Sequence, residues 1–300
     1  MTTSARNVIV LGGTGFLGRR VVRRLVRHGC QVSAGTRSPG AAAACRLKWG
    51  GEVRIVRTDL GDSTALKAAL ASSGTVINCI GFYAETGGET FQDIHVDAAR
   101  RIARLVKEHG GQRLIHVSGI GANLRSGSAY VRARAEGEAA VRSIFPGAFI
   151  LRPSVMFSRS GAFFRDLQGI VDRLPVIPMF GRGNTKLQPV WVGDTAEAAC
   201  RIVDGARARR RVFELGGPDI FRYREILERL AVRSGRRRLM LPVPFILWRF
   251  GAALLSPLRR PPVTQAQIAL MRRDNTAGGN AAAFSDLGME PHSAIAMGLV

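Results

Sequence analysis

The sequence predicts an α/β chain organised around a doubly wound parallel sheet, with a smaller C-terminal α/β lobe. Three observations predict it. Short apolar runs alternate with helical patterns through the first half of the 300-residue chain. The first run, Val8-Ile9-Val10-Leu11, leads directly into Gly12-Gly13-Thr14-Gly15-Phe16-Leu17-Gly18 and then into a helical stripe. Beyond Phe157 the alternation loosens and prolines punctuate the chain. Strands that alternate with helices require right-handed crossovers, which cover both faces of a parallel sheet.

Strands are expected at Asn7–Leu11, Gln31–Thr36, Val53–Arg57, 75–80, 113–118 and 148–152. Between the first two, Phe16, Leu17, Val21, Val22 and Leu25 form one helical stripe, with Arg19, Arg20, Arg23 and Arg27 mostly off it as a solvated face. Further helices are expected at Ser63–Leu70, 91–108 and 128–144. The alanine run at 41–44 reads as a small helix or loop beside the nucleotide that the glycine run is expected to hold. Residues 1–157 are expected to form the sheet domain, with 185–205 returning to it, and 158–300 the smaller lobe. In that second part Gly181-Arg182-Gly183-Asn184 makes a turn and 187–192 a strand, and Asp194 is placed to cap a helix over 195–203. The lobe then holds a helix at 224–232, a proline-punctuated stretch at 241–262, and a helix near 264–272.

The glycine run carries the first chemistry. A buried strand, a glycine turn and a helix N-terminus in that order make a site for a pyrophosphate, because glycines let backbone N–H groups approach and the helix start supplies partial positive charge. This is the Rossmann arrangement of a dinucleotide site, expected at Gly12, Thr14, Gly15, Phe16, Leu17 and Gly18. No Asp or Glu precedes Glu52, so the acid that would hold an NAD ribose is missing. Arg37 stands instead at the end of the second strand, where an arginine accommodates a 2′-phosphate; NADP(H) is therefore favoured over NAD(H). Asp59-Leu60 closes the third strand and is expected at the adenine, and Cys79-Ile80-Gly81 closes the fourth beside the sugar.

Composition narrows the alternatives. The 44 basic and 22 acidic side chains give a formal charge of +22, divided evenly between the halves, and all basic residues but Lys48, Lys67, Lys107 and Lys186 are arginine. Such a charge suits an acidic protein surface, anionic lipid or nucleic acid alike. Nucleic acid is disfavoured, because no recognition motif or interleaved aromatic array accompanies the charge. No apolar stretch reaches the roughly 20 residues of a spanning helix. The first strand begins too near Met1 for a signal peptide, and Cys30, Cys45, Cys79 and Cys200 have no metal-type spacing. A cytoplasmic protein without a metal site is expected, with peripheral placement at the inner face of a membrane as the alternative.

The glycine spacing, Asp59-Leu60, the Ser118 strand end and Tyr130-Val131-Arg132-Ala133-Arg134 resemble the atypical, extended-type short-chain dehydrogenase/reductases. The chain is most similar to the branch that includes the NADPH-binding accessory subunit of respiratory complex I and its bacterial relatives. Ile115-His116-Val117-Ser118, Ala135-Glu136-Gly137-Glu138, Leu151-Arg152-Pro153-Ser154, Gln188-Pro189-Val190 and Glu214-Leu215-Gly216-Gly217-Pro218 extend the match over most of the chain. The resemblance implies an NADP(H) site that also includes Pro153, and catalytic positions at Tyr130, Arg134 and Ser118. In the superfamily a Tyr moves the proton, a Lys holds the nicotinamide ribose and lowers the Tyr pKa, and a Ser orients the substrate oxygen. Here Arg134 stands where that Lys is expected. It shares a helix face with Tyr130 and keeps the positive charge, but a planar guanidinium does not imitate a compact ammonium. Two roles follow from the resemblance: a nucleotide-holding accessory or assembly factor of a respiratory or quinone-related complex, or an active NAD(P)-dependent oxidoreductase or epimerase that uses Tyr130. His95 and His116 have no metal partner at suitable spacing and read as core or cleft histidines.

The stretch from Phe245 to Leu255, with Arg236-Arg237-Arg238 before it and Arg259-Arg260 after it, has two readings. It lies in a membrane interface or docks on a membrane-bound complex, or it packs the second lobe against the nucleotide domain. The absence of a polar face favours packing.

Overall fold

A computed structural model describes residues 6–40, 49–83, 85, 88–159, 161–206, 209–255 and 263–300. The expected alanine segment at 41–44, Cys45 and the Arg259-Arg260 pair lie outside the described residues.

Alternation of apolar runs and helical stripes produces β1 (Asn7–Leu11), α1 (Gly18–Arg27), β2 (Gln31–Thr36), β3 (Val53–Arg57), α2 (Ser63–Leu70) and β4 (Thr75–Asn78). A π-helical turn, Gln92–Asp97, runs into α3 (Ala98–Glu108), followed by β5 (Arg113–Val117), α4 (Ala129–Ile144) and β6 (Phe149–Pro153). The second part holds β7 (Met156–Phe157), α5 (Ala162–Arg173), β8 (Val176–Phe180), β9 (Lys186–Leu187), β10 (Val190–Trp191) and α6 (Val192–Val203). It continues through β11 (Val212–Leu215), β12 (Phe221–Arg222), α7 (Tyr223–Arg233), β13 (Leu239–Val243), α8 (Phe245–Leu254) and α9 (Gln265–Leu270).

Seven strands form one sheet in the order β3-β2-β1-β4-β5-β6-β11, and every pairing is parallel. The order reverses between β1 and β4, where Leu11 pairs with Asn78. In such sheets a ligand crevice opens beyond the carboxyl ends of the strands at this reversal. The period of two along β1 divides its side chains between faces. Val8 and Val10 join the core of α1 and α6, with Val21, Val22, Leu25, Ala196 and Ala199. Ile9 and Leu11 join the opposite core of α2, α3 and α4, with Leu66, Ile102, Val106 and Val141. A third core, Phe157, Phe164, Ile177, Met179, Ile226 and Leu230, holds α5, α7 and β8 together.

Two local expectations change. The strand expected at 187–192 is divided into β9 and β10 by Gln188-Pro189, because proline has no N–H for a ladder. Asp194 does not cap α6 but lies buried in its first turn, accepting hydrogen bonds from the backbone N–H of His292 at 2.7 Å and pairing with its Nδ1 at 2.7 Å. That contact ties the C-terminal segment to α6.

Candidate nucleotide site

The glycine turn leaves β1 at Gly12, whose φ of +72° lies in the left-handed region that favours glycine. A Cβ there would stand 3.2 Å from Ile80 Cγ1 and 3.3 Å from the Cys79 carbonyl carbon, so the turn lies directly against the end of β4. Gly18 opens α1 so close to the turn that a Cβ would fall 2.1 Å from the Gly12 oxygen. The first turn of α1 contains no acidic side chain and no side-chain cap that would compete with an anion, while its Arg19 and Arg20 N–H groups donate to the Gly15 and Leu17 carbonyls. Thr14 is near the second strand, with its Oγ1 3.4 Å from Thr36 Oγ1.

Beyond β2, Arg37 is exposed and its guanidinium donates to Glu89 Oε1 at 2.7 Å. Asp59 turns the chain after β3 by accepting from the Gly61 N–H at 2.9 Å, and the Leu60 carbonyl accepts from Arg101. Gly81 is a glycine because His95 occupies the space of its Cβ, with Cε1 3.1 Å from that position. The π-turn that carries His95 is held against α4 at Gly137, where a Cβ would meet the His95 oxygen at 1.9 Å. Cys79 is half-buried, and desolvation pushes its thiol up to about 12.

On α4 the spacing of four brings Tyr130 and Arg134 together, and the Arg134 guanidinium donates to the Tyr130 hydroxyl. The guanidinium lies over the strand end, since a Cβ on Gly119 would stand 3.3 Å from Arg134 Cζ. Ser118 Oγ and Arg134 Nε are buried with no hydrogen-bond partner among the described residues. These two unpaired polar atoms lie together at the carboxyl end of β5, where a polar ligand group or a water would satisfy them. Pro153 closes β6, and its carbonyl accepts from the Ile120 N–H at 3.1 Å.

Electrostatics at this end are set by burial and by Arg134. Burial raises the Tyr130 pKa more than the Arg134 charge lowers it, so the phenol is held protonated. Burial works against the Arg134 charge, but Tyr130 and Tyr83 outweigh it and the guanidinium stays charged. Burial, with Arg134 second, lowers His95 to about 4 and His116 to about 3. Both histidines are neutral at pH 7. His95 Nε2 pairs with the Phe82 carbonyl at 3.1 Å, and His116 Nδ1 lies 3.2 Å from Asn78 Nδ2.

Phe91 and Glu89 were not singled out for a role by the sequence. Phe91 and His95 meet the Tyr130 ring edge-on with ring centroids at 5.2 and 5.5 Å, and Tyr83 reaches it at 5.6 Å. Ala266 and Leu270 of α9 pack onto the same cluster. Glu89 is the other addition. No cluster of potential metal ligands occurs among the described residues.

A glycine cradle at the sheet reversal and orphaned polar groups at the β5 end define a protein of the NAD(P)-binding, Rossmann-type class. The comparisons agree. Residues 12–154 match the family model described as NAD(P)H-binding. The chain is 33% identical over 296 residues to the mitochondrial NADH dehydrogenase [ubiquinone] 1 alpha subcomplex subunit 9 of Arabidopsis thaliana, covering 94% of this chain and 74% of that one. It is 31% identical to the ceramide reductase of Caulobacter vibrioides, over 82% of this chain and 77% of that one. Among solved structures, an NADPH-dependent quinone oxidoreductase of Escherichia coli complexed with NADPH superposes with a TM-score of 0.76 at 18% identity, covering 97% and 98% of the two chains. That likeness shows the fold. The chain belongs to the atypical short-chain dehydrogenase/reductase family that contains the alpha subcomplex subunit 9 proteins.

Proposed function

We propose that this chain holds NADP(H) as a resident nucleotide and serves as an accessory or assembly factor peripheral to a respiratory membrane complex. The observation that carries the reading is the buried Tyr130–Arg134 pair. The bound nucleotide is a hydride carrier. The residues that would hold it fit: Gly12, Gly15 and Gly18 leave room for a pyrophosphate, Arg37 offers charge for a 2′-phosphate, and Ser118 and Arg134 present unpaired polar atoms to the nicotinamide end. The site is less suited to turnover. A catalytic tyrosine works best with its pKa brought toward the working pH, whereas burial moves this one the other way. The arginine that replaces lysine is committed to the phenol it would activate. Relatives named as subunits of NADH dehydrogenase support the accessory role.

A second reading, an active reductase, draws support from Ser118 lying at the same strand end as the Tyr130–Arg134 pair and from the ceramide reductase relative. Restoring the lysine separates the two. For a nucleotide holder, Arg134→Lys leaves NADPH oxidation at background with quinone and ketone acceptors. For a reductase, the parent turns over one of these acceptors and Tyr130→Phe abolishes that turnover.

A further inference from the structure

We propose that α8, together with the outer face of β13, docks on the surface of an anionic lipid bilayer. This deepens the peripheral placement proposed above and rests on residues outside the nucleotide site.

α8 is apolar on two faces. Its inner face is already seated: the Trp248 ring lies 4.5 Å from Phe180, its indole N–H donates to the Met179 carbonyl at 3.1 Å, and Ala252 is buried. Its outer face carries Ile246, Leu247, Phe250 and Leu254, which are 54, 57, 67 and 81% exposed. Beside it Leu239 and Leu241, register partners of Val176 and Pro178, point outward from the β8–β13 ribbon. Seven of the fifteen exposed large apolar side chains of the described residues fall between Leu239 and Leu255. Elsewhere α1 turns Arg23 and Arg27 to solvent and buries Val21, Val22 and Leu25. An exposed apolar concentration of this kind marks an interaction surface.

Charge selects the occupant. No Asp or Glu occurs between Glu228 and Asp274, and ten arginines do. Arg236 and Arg238 donate to the backbone carbonyls of Asp172 and Val171, which satisfies their N–H groups without neutralising them. Every ion pair among the described residues lies outside this interval. A second copy seated on the same face would bring a second arginine cluster against the first. An anionic bilayer offers both a negative surface potential and an apolar layer within reach of a short helix. The polar face that an isolated interfacial helix needs is unnecessary here, because the inner face of α8 is packed on protein. Among the described residues no helix is long and apolar enough to cross a membrane, so the contact is superficial. Gln265 of α9 donates to the Arg249 carbonyl at 2.8 Å, and α9 packs on the Tyr130 cluster. Docking through α8 therefore brings the bilayer within one helix of the nicotinamide end.

The test is cosedimentation of the full chain, incubated with NADPH, with vesicles of phosphatidylcholine alone and of an equal mixture with phosphatidylglycerol. The expected result is binding to the mixed vesicles only, weakened by salt. Replacing Arg236, Arg237 and Arg238 together by Gln lowers the partition coefficient about a hundredfold, at roughly fivefold per arginine. Leu247→Asp with Phe250→Asp abolishes binding, and both variants keep the parent's NADPH-induced thermal shift. The proposal is overturned if the parent binds neither vesicle, or if binding ignores both sets of substitutions. It is also overturned if the parent is a dimer that Phe250→Asp converts to monomer without any vesicle binding. Vesicle binding that obeys the variants in a chain that NADPH does not stabilise upholds the docking surface and removes the nucleotide reading.

Discussion

Arg37→Ala removes the cation assigned to the 2′-phosphate, and its effect can be worked out before measurement. A charge-assisted hydrogen bond is worth about 1.5–3 kcal/mol. Arg37 is not idle without ligand: its guanidinium donates to Glu89 at 2.7 Å, in a pair whose side chains are 66 and 37% exposed. Breaking so exposed a pair costs about 0–1 kcal/mol, which is subtracted from the gain on binding. The net loss is then about 0.5–3 kcal/mol, or roughly 2- to 160-fold in the NADPH dissociation constant. NADH lacks the phosphate, so its affinity should stay within about twofold. Glu89→Gln should act in the opposite direction, tightening NADPH by about two- to fivefold, because it releases Arg37 and removes a carboxylate from the phosphate's surroundings. Isothermal titration calorimetry of the three proteins with both nucleotides provides the four ratios. Equal losses for NADPH and NADH in Arg37→Ala, or none for either, would refute the assignment.

Other expectations follow from the same geometry. Gly18→Ala, whose Cβ would stand 2.1 Å from the Gly12 oxygen, should lower stability by about 1–3 kcal/mol in denaturant titration and remove the NADPH-induced thermal shift. His95 and His116 have folded pKa values near 4 and 3, below the unfolded value, so between pH 6.5 and 4 the unfolded chain binds more protons. Stability conferred by these neutral histidines is complete above pH 6.5 and declines as pH falls, by about 3 kcal/mol for each by pH 4; a His95→Gln variant should show a shallower fall in Tm over that window. Glu138→Gln should destabilise by about 2–4 kcal/mol, because Arg152 donates to this buried carboxylate through Nε at 3.0 Å and through a second nitrogen at 2.6 Å. Urea titration at pH 7 checks it.

The residues whose meaning is local were legible in the sequence. The glycine run needs only the strand before it and the helix after it; the contact of Tyr130 with Arg134 needs only a spacing of four on one helix, whereas the roles expected of them came from the resemblance to the dehydrogenase/reductases. Glu89 was not legible, because it meets Arg37 from 52 residues away, and no periodicity encodes that pairing. The outer face of α8 was misread for a related reason. An apolar run without a polar face suggested packing of the second lobe against the nucleotide domain. α8 in fact packs within the lobe, on β8 and α9, and turns its remaining apolar side chains outward. Sequence registers how apolar a segment is but not how much of it finds a partner. Asp194 shows the same limit: a carboxylate near a helix start is a natural cap, yet a histidine 98 residues away takes it.

In the proposed function the chain retains a nicotinamide dinucleotide, specifically NADP(H), as part of its structure. Mass spectrometry of the small molecules released by denaturing the protein as isolated tests this most directly. The expected result is NADP(H) at about one per chain, retained through purification. Protein that releases no nucleotide and gains no thermal stability from added NADPH, or that releases NAD(H) instead, would contradict it.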